Sequence, residues 1–256
     1  MTALVECRGV SVGHDPDRPV LTGVDLQIEA GEIVVLLGPS GCGKSTLLRC
    51  LTGLMPPLAG EVLLFGEPLY QASPDARRAL LRRTGALFQQ DALFGSMSVS
   101  DNVELPLRET TTLPTAIIRE MAAMKLALVG LGGLGHRWPA NLSGGQRKRA
   151  ALARATILDP AVVFCDEPSA GLDPVVAAGV DDTFLRLRDL FGSAFVVVSH
   201  EIASVRTIAD RAVMFAGGAI CAAGTIAALT ASTDPVVRGF FHRVPAAPGV
   251  AAATVR

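Results

Sequence analysis

Gly38-Pro39-Ser40-Gly41-Cys42-Gly43-Lys44-Ser45 follows the apolar run Ile33–Leu37 directly and leads through Thr46 into a helical pattern, with Leu47, Leu48, Leu51 and Leu54 on one face and Pro56-Pro57 as its stop. The spacing fits G-x-x-x-x-G-K-[ST], and strand, glycine loop and helix are the context that gives that pattern its meaning. A continuously apolar strand is what a parallel sheet covered on both faces requires. The glycines leave backbone N–H groups free to turn toward phosphate oxygens, and the helix N-terminus adds about half a positive charge. Lys44 is placed to reach the β- and γ-phosphates of a nucleoside triphosphate, and Ser45 to ligate Mg²⁺. The stretch sets the fold class as α/β, built on a phosphate-loop core.

Four further motifs follow in order. Gln89 stands after the strand-like Leu87-Phe88; Leu142-Ser143-Gly144-Gly145-Gln146 opens a helix reaching to about Leu158; Val162–Cys165 ends in Asp166-Glu167; and Phe195–Val198 is closed by His200. Two carboxylates at the C-terminal end of a buried strand lie where α/β sheets bind ligands. Asp166 can hold Mg²⁺ through water, and Glu167 can act as general base on the attacking water. An acidic pair at a strand end also suits a solvated loop, and the phosphate loop in the same chain favours the catalytic reading. Ser143 is a good N-cap. The first turn then carries Arg147, Lys148 and Arg149, which oppose the helix dipole. An external anion at that helix end would relieve the conflict; a plain N-cap with a solvated basic face is the alternative. Gln89 and His200 gain weight from position alone, each at a strand C-terminus on the edge that carries Lys44 and Glu167; a surface glutamine and a structural histidine are the alternatives.

Composition narrows the classes. The chain has 256 residues, 50% hydrophobic and 18% charged, which excludes a disordered chain. Aromatics are 5%, so the core rests on Ala, Val, Leu and Ile. The formal net charge of −1 lacks the basic surplus that nucleic-acid binding wants, so no nucleic-acid partner is expected. Five scattered cysteines have no metal-like spacing, and Cys42 and Cys165 read as small buried residues. The first nine residues show no apolar signal-peptide region. Residues 212–233 carry no charge and are long enough to cross a bilayer. Gly217-Gly218 reads instead as a hairpin turn between two strands, and Gly224 breaks the stretch again, so a soluble chain that meets a membrane only through a partner is expected.

The remaining pattern places strands at 4–12, 24–28 and 61–65. Between about Asp91 and Trp138, the helical apolar spacing of Ile117, Met121, Met124 and Leu128 reads as an inserted helical lobe. A helix with Val176, Val180, Phe184 and Leu187 inward ends at Gly192. Trp138 and Tyr70 read as packing residues. The expected division is one domain, with a nucleotide-binding core at 4–90 and 159–243, the lobe at 91–158, and a flexible tail at 244–256.

Across nearly all of residues 4–243 the chain resembles an ATP-binding-cassette (ABC) ATPase. GPSGCGKS resembles its Walker A motif, FQQD its Q-loop, LSGGQ its signature, VVFCDE its Walker B, SAGLD (Ser169–Asp173) its D-loop, and His200 its switch histidine. The resemblance implies a RecA-like core with an N-terminal antiparallel β subdomain and an inserted helical subdomain. It implies ATP and Mg²⁺ as cofactors, with Gln89 contributing at the metal, and a head-to-tail homodimer. In that dimer each ATP lies between Walker A of one chain and Ser143–Gly145 of the other, and Asp173 communicates across the interface. It further implies transmembrane permease subunits that dock near Gln89, and a peripheral location on the cytoplasmic face of the inner or plasma membrane. Where the family stacks adenine on an aromatic, this chain reads VSVGHDPDRPV, and His14 is the ring available. LFQQDALFGSMSVSDNVELPLRE (Leu87–Glu109), MKLALVGL (Met124–Leu131) and DEPSAGLDPV (Asp166–Val175) are similar to phospholipid-transport ATPases of the maintenance-of-lipid-asymmetry (Mla) type. That likeness implies a lipid cargo and a lipid-binding MCE-type protein; an ABC importer or exporter of another substrate is the alternative, and a soluble non-transport ABC ATPase the more remote one.

Overall fold

The computed structural model describes residues 3–88 and 93–242. Gln89 and the tail 244–256 lie outside the described residues. The described residues fold into two sheets with helices between and beside them. β1 (Val5–Val12), β2 (Leu21–Ile28), β4 (Ala59–Leu64) and β5 (Glu67–Pro68) form an antiparallel sheet in the order β2-β1-β4-β5. The second sheet has the order β10-β9-β3-β8-β7-β6. It contains β3 (Ile33–Leu37), β6 (Thr84–Leu87), β7 (Val162–Asp166), β8 (Ala194–Val198), β9 (Arg211–Ala216) and β10 (Ala219–Gly224). Its strands are parallel except the β9–β10 hairpin.

The parallel strands are buried on both faces because each sends alternate residues into a different core. Val34, Leu36, Phe164, Val196, Val198 and Phe215 meet α1 (Lys44–Leu51) and the inner face of the antiparallel sheet. Ile33, Val35, Leu37, Val163, Phe195 and Val197 meet the helices of the other side. Those helices include α3 (Val99–Thr110), α4 (Thr115–Leu128), α5 (Gly144–Thr156) and α6 (Pro174–Phe191). α2 (Pro74–Arg82) precedes β6, α7 (Ile202–Ile208) follows β8, and the short α8 (Ile226–Thr230) and α9 (Pro235–His242) follow β10. Gly192, at φ 66°, caps α6 in the left-handed conformation.

Several local expectations change. α1 closes at Leu51, with Thr52 as its cap and Gly53 at φ 76°, before the prolines are reached. Leu54 therefore leaves the buried face and is 65% exposed. On α4 the inward face is Ile118, Ala122, Lys125 and Leu126, while Ile117 and Met124 face outward. Trp138 is half exposed rather than packed, whereas Tyr70 donates its hydroxyl to the carbonyls of Cys50 (2.7 Å) and Met55 (2.5 Å). Residues 211–224 form the hairpin, and no helix among the described residues is long and apolar enough to cross a membrane.

Candidate functional site

β3, β8 and β7 are neighbours in the sheet and end at the same edge, so the loops leaving them converge. The loop from β3 is the glycine loop. Gly38 sits at φ 144°, and a Cβ there would come within 2.4 Å of the Phe215 carbonyl and 2.9 Å of Cys42 Sγ, so only glycine lets this loop lie against β9. Pro39, Ser40 and Gly41 are exposed. Gly43 opens α1 at φ 101° with no side-chain cap, leaving the amides of the first turn, around Lys44, Ser45 and Thr46, directed out of the helix end. Lys44 is buried, its Nζ donating to the carbonyls of Gly38 and Pro39, both at 2.8 Å, with Cys42 Sγ at 3.6 Å. Cys42 is thus half-buried beside the lysine rather than an inert core thiol. Cys165 is fully buried, and burial pushes its thiol well above the ordinary range.

Asp166 and Glu167 leave the end of β7. Ser45 Oγ donates to Asp166 Oδ1 at 3.0 Å. Burial pushes the Asp166 carboxyl up, and the Ser45 hydroxyl, then Arg49, Lys44 and Lys148, pull it partly back. Glu167 stands at φ 53°, a left-handed conformation that costs a non-glycine residue about 1–3 kcal/mol and collects at functional sites. Its amide donates to the Val198 carbonyl at 2.9 Å. Its Oε1 lies 2.8 Å from His200 Nδ1, at the end of β8, while its Oε2 is buried without a hydrogen-bond partner among the described residues. Strain and an unpaired buried carboxylate oxygen in one side chain mark a group held for chemistry rather than for stability.

Ser143, Gly144, Gly145 and Asp173 form a second patch. Ser143 caps α5 in a reciprocal box: its Oγ accepts from the Gln146 amide at 3.3 Å, and Gln146 Oε1 accepts from the Ser143 amide at 3.0 Å. Asp173 caps α6 by accepting from the amides of Val175 and Val176. The two helix starts are packed together, since a Cβ at Gly145 would lie 2.2 Å from Val176 Cγ1 and one at Gly144 would lie 3.0 Å from Leu172 Cδ2. Val176, legible in the sequence only as an inward residue of its helix, and Leu172, inside the SAGLD stretch, shape this patch, a role the motifs do not announce because the signal is shape rather than chemistry. The basic first turn of α5 is not a solvated face. Arg147 donates back to the Leu142 carbonyl at 2.7 Å, Arg149 to the Val129 carbonyl at 3.2 Å, and Lys148 is buried, its charge felt at Asp166. Among the described residues no hydrogen bond or ion pair joins Ser143–Gly145 to Lys44, Ser45, Asp166, Glu167 or His200. His14 is exposed in the β1–β2 loop and has no described hydrogen bond to the phosphate loop. Gln89 lies outside the described residues.

A groove of about 410 Å³ lies against β6, the edge strand of its sheet among the described residues, and is lined by Gly85, Phe88, Phe94, Leu105, Pro106 and Arg154, among others. Gly85 is required there, since a Cβ would lie 2.2 Å from the Ala155 carbonyl of α5.

A phosphate-loop lysine, a serine bonded to the aspartate of an acidic pair, and a histidine on the neighbouring glutamate define the class as nucleoside-triphosphate hydrolases of the phosphate-loop type. Residues 21–170 match the ABC transporter family, and the chain belongs to it. It is an ATP-hydrolysing subunit of an ABC transporter. It is 40% identical over 245 residues to the intermembrane phospholipid transport system ATP-binding protein MlaF of Escherichia coli K12, covering 96% of this chain and 91% of that one. It is 40% identical over 242 residues to the probable ribonucleotide transport ATP-binding protein mkl of Mycobacterium tuberculosis H37Rv, covering 94% of this chain and 67% of that one. Among solved structures, cbiO1 from Clostridium perfringens, part of the ABC transporter complex cbiONQ, superposes with a TM-score of 0.80 at 26% identity, covering 88% and 89% of the two chains. The ATP-binding cassette MJ0796, dimeric in a post-hydrolysis state with ADP and Pi, does so with a TM-score of 0.78 at 29% identity, covering 87% and 98%.

Proposed function

We propose that this subunit drives transport of phospholipid or a related lipid, working as a homodimer with transmembrane permease subunits and an MCE-type lipid-binding protein on the cytoplasmic face of the membrane. The observation that carries the lipid reading is a coincidence of place. Leu87–Glu109, one of the three stretches that resemble the phospholipid-transport ATPases, supplies Phe88, Phe94, Leu105 and Pro106 to the apolar groove beside β6. A concave apolar groove between the core and the helical lobe (91–158) suits a helical segment of a permease, and the choice of permease sets the cargo. The 40% identity spread over nearly all of MlaF supports the same assignment.

In this reading the backbone of Gly38–Thr46 and Lys44 hold the triphosphate. Ser45 Oγ and Asp166, with Gln89, would hold Mg²⁺; the hydroxyl and carboxylate oxygens that meet at 3.0 Å are the hard donors such a cation takes. An ion held by these residues would supply positive charge against that developing on the β- and γ-phosphates. Glu167 accepts the proton of the attacking water at Oε2, while His200 fixes Oε1 and so orients the carboxylate. The Ser143–Gly145 patch closes on the nucleotide of the partner chain, and Asp173, packed on that patch through α6, transmits the closure. His14 offers the ring for the base.

Purification from native membranes in mild detergent, followed by mass spectrometry of proteins and lipids, tests the assignment. A permease and an MCE-type protein carrying phospholipid or sterol is the expected result. A permease without lipid, exporting or importing nucleotides in vesicles, would replace the cargo and keep the ATPase.

A further inference from the structure

One buried carboxylate stands apart from the nucleotide site. Asp181 lies about two turns into α6 and is 5% exposed, with Ala177, Val180 and Phe184 of the same helix also buried. α6 packs on α7, where Ser204, Val205 and Ile208 are buried in turn. The Ser204 hydroxyl is the polar group of α7 that meets the carboxylate. Burial pushes the Asp181 carboxyl above the ordinary range, Ser204 draws it partly back, and Asp182 and Glu201 push it further up. No lysine or arginine pairs with it among the described residues. A carboxylate between two helices costs free energy that an apolar side chain would not, so packing alone does not account for it.

The contact matters because of what α7 carries. α7 begins at Ile202, two residues after His200, is seven residues long, and receives no side-chain cap from Glu201. So short a helix has little stability of its own, and its lateral contacts set its place. On the other side of His200 the chain is anchored to the sheet. The Ser199 amide donates to the Leu36 carbonyl at 3.4 Å, and Ser199 Oγ accepts from the Glu201 amide at 3.1 Å. His200 sits between the sheet and α7 with its side chain 59% exposed. Among the described residues, Glu167 Oε1 at 2.8 Å is the partner that holds its ring. A shift of α7 therefore reaches the imidazole within two residues.

We propose that Asp181 is a positioning residue for hydrolysis: through Ser204 it fixes α7 against α6 and so holds His200 on Glu167. α6 is a firm base for this, since its start is capped by Asp173 and packed through Val176 on Gly145. The proposal rests on the reading of Glu167 as the base and His200 as the residue that orients it.

The test uses the whole chain. Asp181→Ala is expected to lower kcat about tenfold while ATP affinity stays within about twofold, the pattern of a displaced base rather than a lost nucleotide contact. The NMR signals of the His200 imidazole nitrogens, assigned by their loss in His200→Gln, are expected to move toward those of a solvated ring. Asp181→Asn keeps an acceptor for the Ser204 hydroxyl and should restore both. Ser204→Ala removes a single oxygen and is expected to reproduce both changes, even where Asp181→Ala does not fold. A lowered melting temperature with an unmoved His200 signal makes Asp181 structural and overturns the proposal, as does native kcat in Ser204→Ala. Glu167→Gln, measured alongside, separates the two levels. If it keeps turnover, the assignment of the base is wrong and the proposal falls with it. If it abolishes turnover while the Asp181 and Ser204 variants behave as native, only the role of Asp181 is wrong.

Discussion

Glu167 concentrates the chemistry in one side chain. His200 occupies one carboxylate oxygen, the other is buried and unpaired among the described residues, and the left-handed backbone is held by the hydrogen bond from its amide to the Val198 carbonyl. Glu167→Gln keeps the shape and removes the base, so turnover is expected to fall at least about 100-fold with ATP affinity retained. Single-turnover assay and equilibrium nucleotide binding separate the two, and a variant that hydrolyses at even a tenth of the native rate would remove Glu167 as base. Asp166 gives a pH-dependent counterpart. Burial raises its carboxyl above the ordinary range, so the folded chain holds the proton more tightly than the unfolded chain does. Stability then falls as pH rises from the ordinary aspartate range through the raised folded value. Asp166→Asn is expected to melt higher than the native protein at neutral pH without nucleotide, and the gain should shrink as pH falls toward that ordinary range. A gain independent of pH would assign the effect to packing. The identities of Lys44, Ser45, Asp166 and Glu167 are legible in the sequence because their motifs are contiguous. The Glu167–His200 contact is not, since it depends on β7 and β8 being neighbours. The same holds for Lys148, whose charge reaches Asp166 only through the packing of α5.

At the scale of elements, the strands are the legible part. Ile33–Leu37 and Ala194–Val198 are buried throughout, as continuous apolar runs imply. Helix faces are less so. The stripe of Ile117 and Met124 has helical spacing, yet α4 turns Lys125 inward, because that lysine finds Asp159 at 2.6 Å and the Phe191 ring at 3.9 Å. A long side chain can bury its stem when a distant carboxylate and ring receive its end, and nothing local announces them. The α5–α6 contact is likewise invisible in motif language. Gly145→Ala would push a methyl into Val176, a stiff β-branched side chain, at a cost of about 1–3 kcal/mol. Hydrolysis is expected to fall with it, because the signature patch and the start of α6 move apart. Val176→Ala should restore much of both stability and activity in the double variant. Additive losses, measured by thermal melts and ATPase rates in a double-mutant cycle, would mean the two helix starts act independently.

For the whole molecule, the decisive relation is the separation of its two functional patches. The phosphate loop, acidic pair and His200 share one sheet edge, whereas Ser143–Gly145 and Asp173 sit at the starts of α5 and α6, with no described hydrogen bond between the groups. A site completed within one chain would join them directly; a site completed across a two-fold dimer requires the partner to bring the second patch. Ser143→Arg should abolish hydrolysis while leaving nucleotide binding to the monomer nearly intact, and Lys44→Ala should abolish binding. Neither homodimer then has a working site. In a mixed dimer, one site pairs the native phosphate loop of the first variant with the native signature of the second, while the other site carries both lesions. With random exchange, half the dimers are mixed and one of their two sites is sound, so mixing two inactive proteins should recover up to about a quarter of native sites. Recovery that rises with exchange time and peaks at equal proportions would establish the composite site. No recovery, with subunit exchange confirmed by mass-labelled chains, would place Ser143 in service of its own fold: its capping box with Gln146 would then be its whole role.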